Sequence, residues 1–264
     1  MALSFPGEVI IMRYGVCVGP EYSKIKAVKE AGYDYVESCF EPLGRGSEEN
    51  FRNLCNELEK NDIRCEAVNA FIPGDLRVVG DNVDYDALRE YIETGMRRGS
   101  QIGLKAVVFG SGGARQVCEG LSYEKAYRQI LYFLREIVKP IACKYKITVV
   151  VENLSDCNII NTVKEDCIFA ALADCEYIKG LADVYHMVVL NDDIGNIKDM
   201  KGAIYHAHIA EPSKRMIPVS ADEYDYKSFI DALEYAGCER CSVEANTMDF
   251  EGDILKAIKV LRSL

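Results

Sequence analysis

The sequence predicts an α/β protein, a (β/α)8 TIM barrel that forms a single domain over residues 1–264. Three observations predict it. Short apolar segments rich in β-branched residues alternate eight times with amphipathic segments. The 264 residues divide into eight units of 33, the size of one strand–helix unit in a barrel of about 250 residues. No Gly-x-Gly-x-x-Gly turn occurs, which disfavours a doubly wound open sheet.

Each predicted strand is a short apolar run that ends at a turn or a polar residue. The run Thr-Val-Val-Val-Glu at 148–152 shows the pattern. Residues 1–11 are expected to form an N-terminal extension outside the barrel. The predicted strands are 11–17, 33–38, 65–71, 106–110, 148–152, 180–184, 204–209 and 241–245.

The helices between these strands are predicted from apolar residues recurring every three or four positions. Asn161 or Thr162 is the expected cap of the fifth helix. Long loops at 72–80 and 111–120 follow the third and fourth strands, at the barrel face that carries chemistry. The predicted helices are near 22–31, 47–61, 84–102, 122–145, 161–174, 194–200, 224–236 and 251–263.

The net charge and the cysteine content limit the binding partners and the cellular compartment that we expect for this protein. The net charge of −11 argues against nucleic acid and against anionic membrane surfaces. No apolar run approaches the roughly 20 residues of a membrane span, and the N-terminus has no basic signal-peptide region. Eleven cysteines without a repeating spacing indicate reduced thiols. We therefore expect a cytoplasmic protein with no membrane or nucleic-acid partner.

Acidic side chains and a histidine end four consecutive predicted strands, five to eight. Glu152, Asp183, His208 and Glu244 are separated by 31, 25 and 36 residues, about one strand–helix unit each. A charge on a buried strand is costly unless it is paired or bound to a cation. Three carboxylates and one imidazole predict one divalent metal ion at the barrel mouth. Mn²⁺ or Mg²⁺ suits this ligand set best, with Co²⁺ or Zn²⁺ as alternatives.

Several segments resemble the sugar isomerase and epimerase group of the xylose isomerase-like TIM barrels, and the ketose 3-epimerases in particular. The resemblance covers nearly the whole chain. The segments are Val151-Glu152-Asn153, Asp183-Val184-Tyr185-His186, His206-Ala207-His208-Ile209-Ala210-Glu211-Pro212, Ser242-Val243-Glu244, Asn69-Ala70-Phe71-Ile72-Pro73-Gly74 and Phe109-Gly110-Ser111-Gly112-Gly113-Ala114-Arg115.

This resemblance implies a metal-dependent isomerase or epimerase acting on a ketose or a related sugar or polyol. It assigns one divalent metal ion, usually Mn²⁺, to the same four residues, and makes Glu152 and Glu244 the catalytic acid and base on opposite faces of the substrate. The implied reaction is enediolate-type proton transfer next to a carbonyl. Relatives of this kind form dimers or tetramers, so a homo-oligomer is expected. The predicted substrate-binding residues are Asn69, Phe71, Arg115, His186, Glu211 and a basic residue about six positions after His208, which is either Lys214 or Arg215.

One departure from the family pattern concerns the segment after Glu152. The 3-epimerases carry a second glutamate six residues later, where this chain has Asn158. Asp156 is the candidate substitute. Because the same site also supports loss of a β-hydroxyl, an inosose dehydratase-like activity on a keto-polyol is an alternative. A barrel that binds metal and sugar without catalysis is another.

A metal-dependent DNA-repair endonuclease of the endonuclease IV type is a third alternative. Its zinc cluster requires several more histidine ligands. Asn69 and the glycine loop at 110–113 occupy the places where such ligands would come. The sequence therefore disfavours it. The acidic charge also favours a neutral sugar over an anionic substrate.

Overall fold

The computed structural model describes residues 11–264, in which eight parallel strands close into a barrel in sequence order. This confirms the predicted fold class. The first strand pairs with the eighth and thereby closes the sheet. The predicted extension at 1–11 lies outside the described residues, apart from the exposed Ile11. The strands are β1 (Arg13–Gly19), β2 (Tyr35–Cys39), β3 (Cys65–Asn69), β4 (Ala106–Phe109), β5 (Thr148–Glu152), β6 (Ile178–Asp183), β7 (Ile204–Ile209) and β8 (Arg240–Val243).

Helices connect successive strands and pack around the barrel. Short 3-10 turns at Tyr22–Lys24 and Ala221–Glu223 supplement them. The helices are α1 (Ile25–Ala31), α2 (Glu41–Arg45), α3 (Glu48–Lys60), α4 (Tyr85–Ile102), α5 (Gly112–Arg115), α6 (Tyr123–Tyr132), α7 (Lys139–Tyr145), α8 (Val163–Leu172), α9 (Val184–Leu190), α10 (Gly195–Asp199), α11 (Tyr226–Ala236) and α12 (Phe250–Leu261).

The predicted helix at 122–145 is divided into three parts. A π-helical segment, Phe133–Val138, separates α6 from α7. Pro140 at the start of α7 has no N–H to donate, so the regular α-helical ladder cannot run through this point. The fifth predicted helix begins as expected, because Thr162 caps α8 in a capping box with Glu165.

The core of the described residues consists of one large apolar cluster and two small ones. One large apolar cluster fills the space between the barrel and the helices. Inside the barrel, Tyr35 packs with Ala67 and Ala106 in a small separate cluster. Gly15 makes room for this ring, since a Cβ there would lie 2.2 Å from a Tyr35 ring carbon. The interior of the barrel is therefore filled and is not an open channel.

Within residues 11–264, no helix has both the length and the hydropathy that a membrane span requires. The carboxyl ends of the strands form one mouth of the barrel, and the loops that follow them build its rim. The four predicted metal ligands lie at this mouth.

Asp166 on α8 yields a prediction about stability. Its side chain is fully buried against β6, and neither carboxylate oxygen has a hydrogen-bond partner among residues 11–264. Burial raises the pKa of Asp166 well above its usual range. Because this carboxyl holds its proton in the folded state while the unfolded chain ionises near pH 4, the free energy of unfolding falls as pH rises above that value.

We therefore expect Asp166→Asn to stabilise the protein at pH 8 by more than about 1 kcal/mol, with the gain shrinking toward pH 4. Urea unfolding of both proteins across this pH range measures the difference. Asp174→Asn, at a fully exposed carboxylate, is the control and should show no such trend. A gain for Asp166→Asn that is constant with pH would contradict the prediction.

Candidate metal centre and substrate cavity

The barrel brings the four predicted metal ligands together. Glu152 and Asp183 are the last residues of β5 and β6, His208 is next to last in β7, and Glu244 directly follows β8. Asp183 and His208 are register partners on adjacent strands. One potential ligand atom from each of the four residues lies within 4.8 Å of the others. The parallel strands thus bring four residues that are distant in sequence into one cluster.

Asp183 presents one oxygen to the helix that follows and leaves the other free. Its Oδ1 accepts hydrogen bonds from the backbone N–H groups of Tyr185 (2.7 Å) and His186 (3.2 Å), which caps α9. Its Oδ2 is buried and has no hydrogen-bond partner in the described part of the chain. A buried carboxylate oxygen without a donor is expensive, so this atom is an open ligand position.

His208 lies at the centre of the cluster. Its Nδ1 is 3.0 Å from Glu152 Oε1, 3.3 Å from Glu244 Oε2 and 3.8 Å from Asp183 Oδ2. Burial favours the neutral imidazole, but the carboxylates of Glu244 and Glu37 outweigh it and raise the pKa of His208 well above its usual range. The histidine therefore supplies the positive charge that the surrounding carboxylates require.

The carboxylates differ in their surroundings. Glu244 accepts hydrogen bonds from Asn69 Nδ2 (2.8 Å) and an Arg215 guanidinium nitrogen (2.7 Å). Burial opposes its ionisation, but His208 lowers the pKa of Glu244 to about 2. Burial raises the pKa of Glu152, and burial together with the charge of Glu152 raises that of Asp183 to about 8. The negative charges of the three carboxylates are therefore not fully balanced by the positive charges of His208 and Arg215.

These residues fit a divalent cation. The donor set is three carboxylates and one imidazole, the cluster is compact, and one carboxylate oxygen is buried without a donor. Oxygen-rich sites with one histidine suit Mn²⁺ and Mg²⁺, and also accept Zn²⁺ or Co²⁺. A cation held here would have Glu152, Asp183, His208 and Glu244 as ligands.

A cavity of about 420 Å³ opens beside the cluster, and Glu152 and Glu244 are part of its wall. The glycine-rich loop at 110–113 forms another part of the wall. A larger cavity of about 590 Å³ lies beside Arg13 and Glu66, at the amino ends of the strands. We take the smaller cavity as the candidate substrate site, because only the carboxyl ends of the strands bear the ligand cluster.

His186 faces this cavity with a defined tautomer. Its Nδ1 accepts a hydrogen bond from the backbone N–H of Ser155 (3.0 Å) and lies 2.8 Å from the Ser155 hydroxyl. Burial, and then the charge of Arg215, lower the pKa of His186 to about 4. Its proton therefore sits on Nε2, which has no hydrogen-bond partner within the described residues.

Glu211 and Lys214 lie beside the site, and Arg215 enters it. Glu211 accepts hydrogen bonds from the backbone N–H groups of Ser213 (2.8 Å) and Lys214 (3.0 Å), which closes a tight turn. This turn holds Arg215 at φ 53°, with its guanidinium 4.8 Å from the centre of the Tyr185 ring. Glu211 and Lys214 line a neighbouring cavity, so they position the arginine from outside.

Two residues predicted to contact substrate lie elsewhere. Arg115 is completely buried and donates hydrogen bonds to the backbone carbonyls of Phe109 (3.0 Å), Glu152 (2.7 Å) and Ile160 (3.2 Å). Phe71 is also completely buried and packs among aromatic rings. We correct both expectations, since neither side chain is accessible to a substrate. Both residues support the rim of the site from below.

The segment with the missing glutamate has a structural role. The Asn158 side chain exchanges two hydrogen bonds with the backbone of Val117, at 2.9 and 3.0 Å. It ties the loop after β5 to the loop after β4. Asp156 is exposed and forms part of the cavity wall. Asp156, the candidate substitute for the missing glutamate, therefore faces the cavity.

Sequence reasoning missed Glu37 and Ser155. Glu37 is a fully buried carboxylate on β2, 3.0 Å from His208 Nε2 and 2.9 Å from His206 Nε2. The available signal was a glutamate inside the apolar strand Tyr-Val-Glu-Ser-Cys. It was overlooked because it is not the last residue of its strand. Ser155 gave no sequence signal.

Gly110 provides a prediction about the centre. A Cβ at this position would lie 2.1 Å from Glu152 Oε2. Because the obstructed atom is the end of a flexible side chain, we expect Gly110→Ala to fold normally but to displace the carboxylate. Mn²⁺ affinity, measured by calorimetry, should fall by about 10–100-fold, as when the support of a ligand is lost.

Gly112→Ala is the matched control. A Cβ there would meet Leu154 Cδ1 at 3.4 Å and Cys157 Cβ at 3.8 Å, both ordinary contact distances. It should leave Mn²⁺ affinity unchanged. Equal affinities for the Gly110→Ala and wild-type proteins would show that Glu152 does not need this position to bind the cation.

The fold and this cluster together define a class of protein, a (β/α)8 barrel with a carboxylate–histidine centre at its mouth. The family model described as the xylose isomerase-like TIM barrel matches residues 25–264. The chain belongs to this family, which confirms the resemblance seen in the sequence. A search of curated proteins found no significant match.

Solved structures similar to this chain include several sugar epimerases. The 3-keto-D-glucoside 4-epimerase YcjR from E. coli has a TM-score of 0.80 at 19% identity, covering 96% of this chain and all of that one. A D-psicose 3-epimerase from Clostridium cellulolyticum H10, solved with D-tagatose, has a TM-score of 0.80 at 17% identity, with coverages of 96% and 98%. A Methylomonas sp. D-allulose 3-epimerase with D-allulose reaches 0.81 at 15% identity, with coverages of 100% and 99%. At these identities the similarity establishes the shared fold.

Proposed function

We propose that this protein is a metal-dependent sugar isomerase or epimerase that moves a proton at a carbon next to a carbonyl group. One observation carries the proposal. Two glutamates, Glu152 and Glu244, belong to the ligand cluster and also line the open cavity. Such a pair can hold a cation and still reach a bound substrate. The sugar epimerases among the similar structures support this proposal.

A divalent cation bound here would act as a Lewis acid and stabilise the negative charge that develops on the substrate oxygens. Glu152 or Glu244 removes the proton from the carbon beside the carbonyl, and the other glutamate returns one. Such general acid–base catalysis contributes about 10²–10⁴-fold. Return to the opposite face of the same carbon yields an epimer, and return to the neighbouring carbon yields an isomer.

The surrounding side chains are suited to orient a polyhydroxy substrate. His186 Nε2–H is a free donor at the cavity wall, fixed by Ser155. Asn69 and Arg215 both hold Glu244 and thereby fix the direction of its carboxylate. Fixed donors and a fixed base reduce the reorganisation that proton transfer requires.

The charge of the cavity favours a neutral sugar. Among the described residues of its wall, Arg215 is the cationic side chain that carries a permanent charge. Glu244, at 2.7 Å, and Asp183, at 3.9 Å, neutralise it. A phosphate group would therefore compete with carboxylates for this arginine. We propose an unphosphorylated ketose or a related polyol as substrate.

The finer predictions belong to this proposal. Mn²⁺ is favoured by the three carboxylate ligands. A cytoplasmic location is supported by the eleven cysteines, which all lie in the described part of the chain with free thiols. The net charge of −11 supports the absence of a nucleic-acid partner. The homo-oligomer remains a prediction from the resemblance.

Proton exchange with solvent tests the function. The purified protein, loaded with Mn²⁺, is incubated in D₂O with a panel of neutral ketoses and keto-polyols, and deuterium is located by NMR after removal of the metal. We expect deuterium at a carbon next to the carbonyl. Its position and the product distinguish epimerisation from isomerisation, and formation of an unsaturated product would reveal the dehydratase.

Two variants sharpen this experiment. Glu244→Gln should abolish exchange, because the amide cannot accept a proton. Glu66→Gln is the matched control, since Glu66 is a buried carboxylate held by Arg13 and Arg240 at the amino ends of the strands, away from the cavity. It should retain exchange. A wild-type protein that binds Mn²⁺ but exchanges no proton with any of the sugars would contradict catalysis and favour a binding protein.

A further inference from the structure

A chain of hydrogen bonds runs through the interior of the barrel toward the metal centre. Tyr35 Oη is 3.0 Å from Ser242 Oγ, which lies 3.4 Å from His206 Nε2. His206 Nε2 is 2.9 Å from one oxygen of Glu37, and the other oxygen is 3.0 Å from His208 Nε2. All five residues are buried. The middle of a barrel is usually filled by branched apolar side chains. A chain of polar side chains in this position therefore indicates a specific role.

Glu37 is the residue of this chain that joins two imidazoles. Each carboxylate oxygen is paired with the Nε2 atom of a different histidine. An ionised carboxylate is only an acceptor, so both imidazoles must donate through Nε2–H. On His208 this leaves Nδ1 as the atom that faces Glu152, Asp183 and Glu244.

We propose that Glu37 is a positioning residue, which keeps a proton on His208 Nε2 and so reserves the Nδ1 lone pair for the divalent cation. This inference rests on the proposed function, because it assigns Glu37 a role at the same metal centre. A second hydrogen bond from a metal-binding histidine to a carboxylate fixes both the tautomer and the orientation of the ring. Glu37 is not one of the four clustered ligands, and in this role it acts on the centre through His208.

His206 has the complementary task of holding Glu37. It occupies the second carboxylate oxygen through Nε2, while its Nδ1 has no hydrogen-bond partner among the residues described. This arrangement stops the Glu37 carboxylate from rotating away from His208. The spacing of His206 and His208, two residues apart on β7, places both rings on the same side of the strand.

Glu37→Gln tests the inference. An amide offers one acceptor and one donor group, so it satisfies the N–H of only one histidine and opposes that of the other. We expect Mn²⁺ affinity, measured by calorimetry, to fall by about 10–100-fold. Glu37→Asp keeps the carboxylate and should recover part of the loss. Glu66→Gln is the matched control, a buried carboxylate held by Arg13 and Arg240 at the other end of the barrel.

A spectroscopic readout separates the failure of this inference from that of the proposed function. The ¹⁵N NMR signals of the histidine rings in metal-free protein, recorded at a pH at which the His208 imidazole is neutral, report which nitrogen carries the proton. We expect Glu37→Gln to alter the pattern of His208, and Glu66→Gln to leave it unchanged. An unaltered His208 pattern, or wild-type Mn²⁺ affinity in Glu37→Gln, overturns the role of Glu37.

Wild-type protein that binds no Mn²⁺ overturns the proposed function instead. The ring spectrum then decides alone whether Glu37 sets the tautomer of His208. If Glu66→Gln weakens Mn²⁺ binding as much as Glu37→Gln does, general loss of a buried carboxylate explains the effect, and the inference also fails.

Discussion

Asp183→Asn is expected to weaken Mn²⁺ binding by at least about 100-fold while leaving the fold intact. The loss of an outer hydrogen-bond partner alone costs about 10–100-fold, and a direct ligand contributes more. Asparagine keeps an Oδ1 atom that can cap α9 through the N–H groups of Tyr185 and His186. The change replaces only the buried Oδ2, which has no partner within residues 11–264. Calorimetric titration and elemental analysis of purified protein measure the effect.

The matched control for this change is Asp156→Asn. Asp156 is exposed in the wall of the same cavity but is not one of the clustered ligands. Its substitution should leave Mn²⁺ affinity unchanged. Wild-type affinity in Asp183→Asn, with the fold verified by circular dichroism, would show that the four residues are a structural polar cluster.

Arg115→Met is expected to lower the free energy of unfolding by about 3–5 kcal/mol, because it leaves three backbone carbonyls without their charged donor. The affected carbonyls belong to Phe109, Glu152 and Ile160. For a protein of this size such a loss lowers the melting temperature by about 10 °C. Thermal and urea unfolding both measure it.

Arg45→Met is the control for the loss of an arginine. Arg45 forms exposed ion pairs with Glu41 and Asp75, and exposed pairs contribute about 0–1 kcal/mol. Its substitution should change stability little. Full stability of Arg115→Met together with a raised KM for the substrate would contradict the structural role. It would indicate instead that Arg115 contacts the substrate.

The candidate metal centre shows what can be predicted from sequence patterns. Glu152, Asp183 and His208 were predictable because a charged residue near the end of an apolar strand needs a partner. Their spacing of one strand–helix unit indicated that the strands bring them together. Glu37 is likewise a charged residue in an apolar strand and needs a partner. It could not be assigned, because its partners His206 and His208 lie 169 and 171 residues away.

The loop residues show the limit of such patterns. Arg115 follows a glycine-rich segment that resembles the rim of related sites, and from sequence a substrate contact was the natural interpretation. In the structure the short helix α5 turns the side chain inward, under the ends of β4 and β5. From the sequence, Lys214 and Arg215 were both candidates for the basic residue that contacts the substrate. Only the turn closed by Glu211 shows that it, and not Lys214, faces the cavity.

The sequence by itself predicted the barrel, its strands to within a few residues, and the four residues that the structure brings together as a candidate metal centre. These features rest on periodicity and on the cost of burying charge, which are local properties of the chain. The tertiary structure alone decided which loop side chains enter the cavity, and that Glu37 joins His206 to His208. Those outcomes depend on contacts between residues far apart in sequence and on the backbone conformation of tight turns.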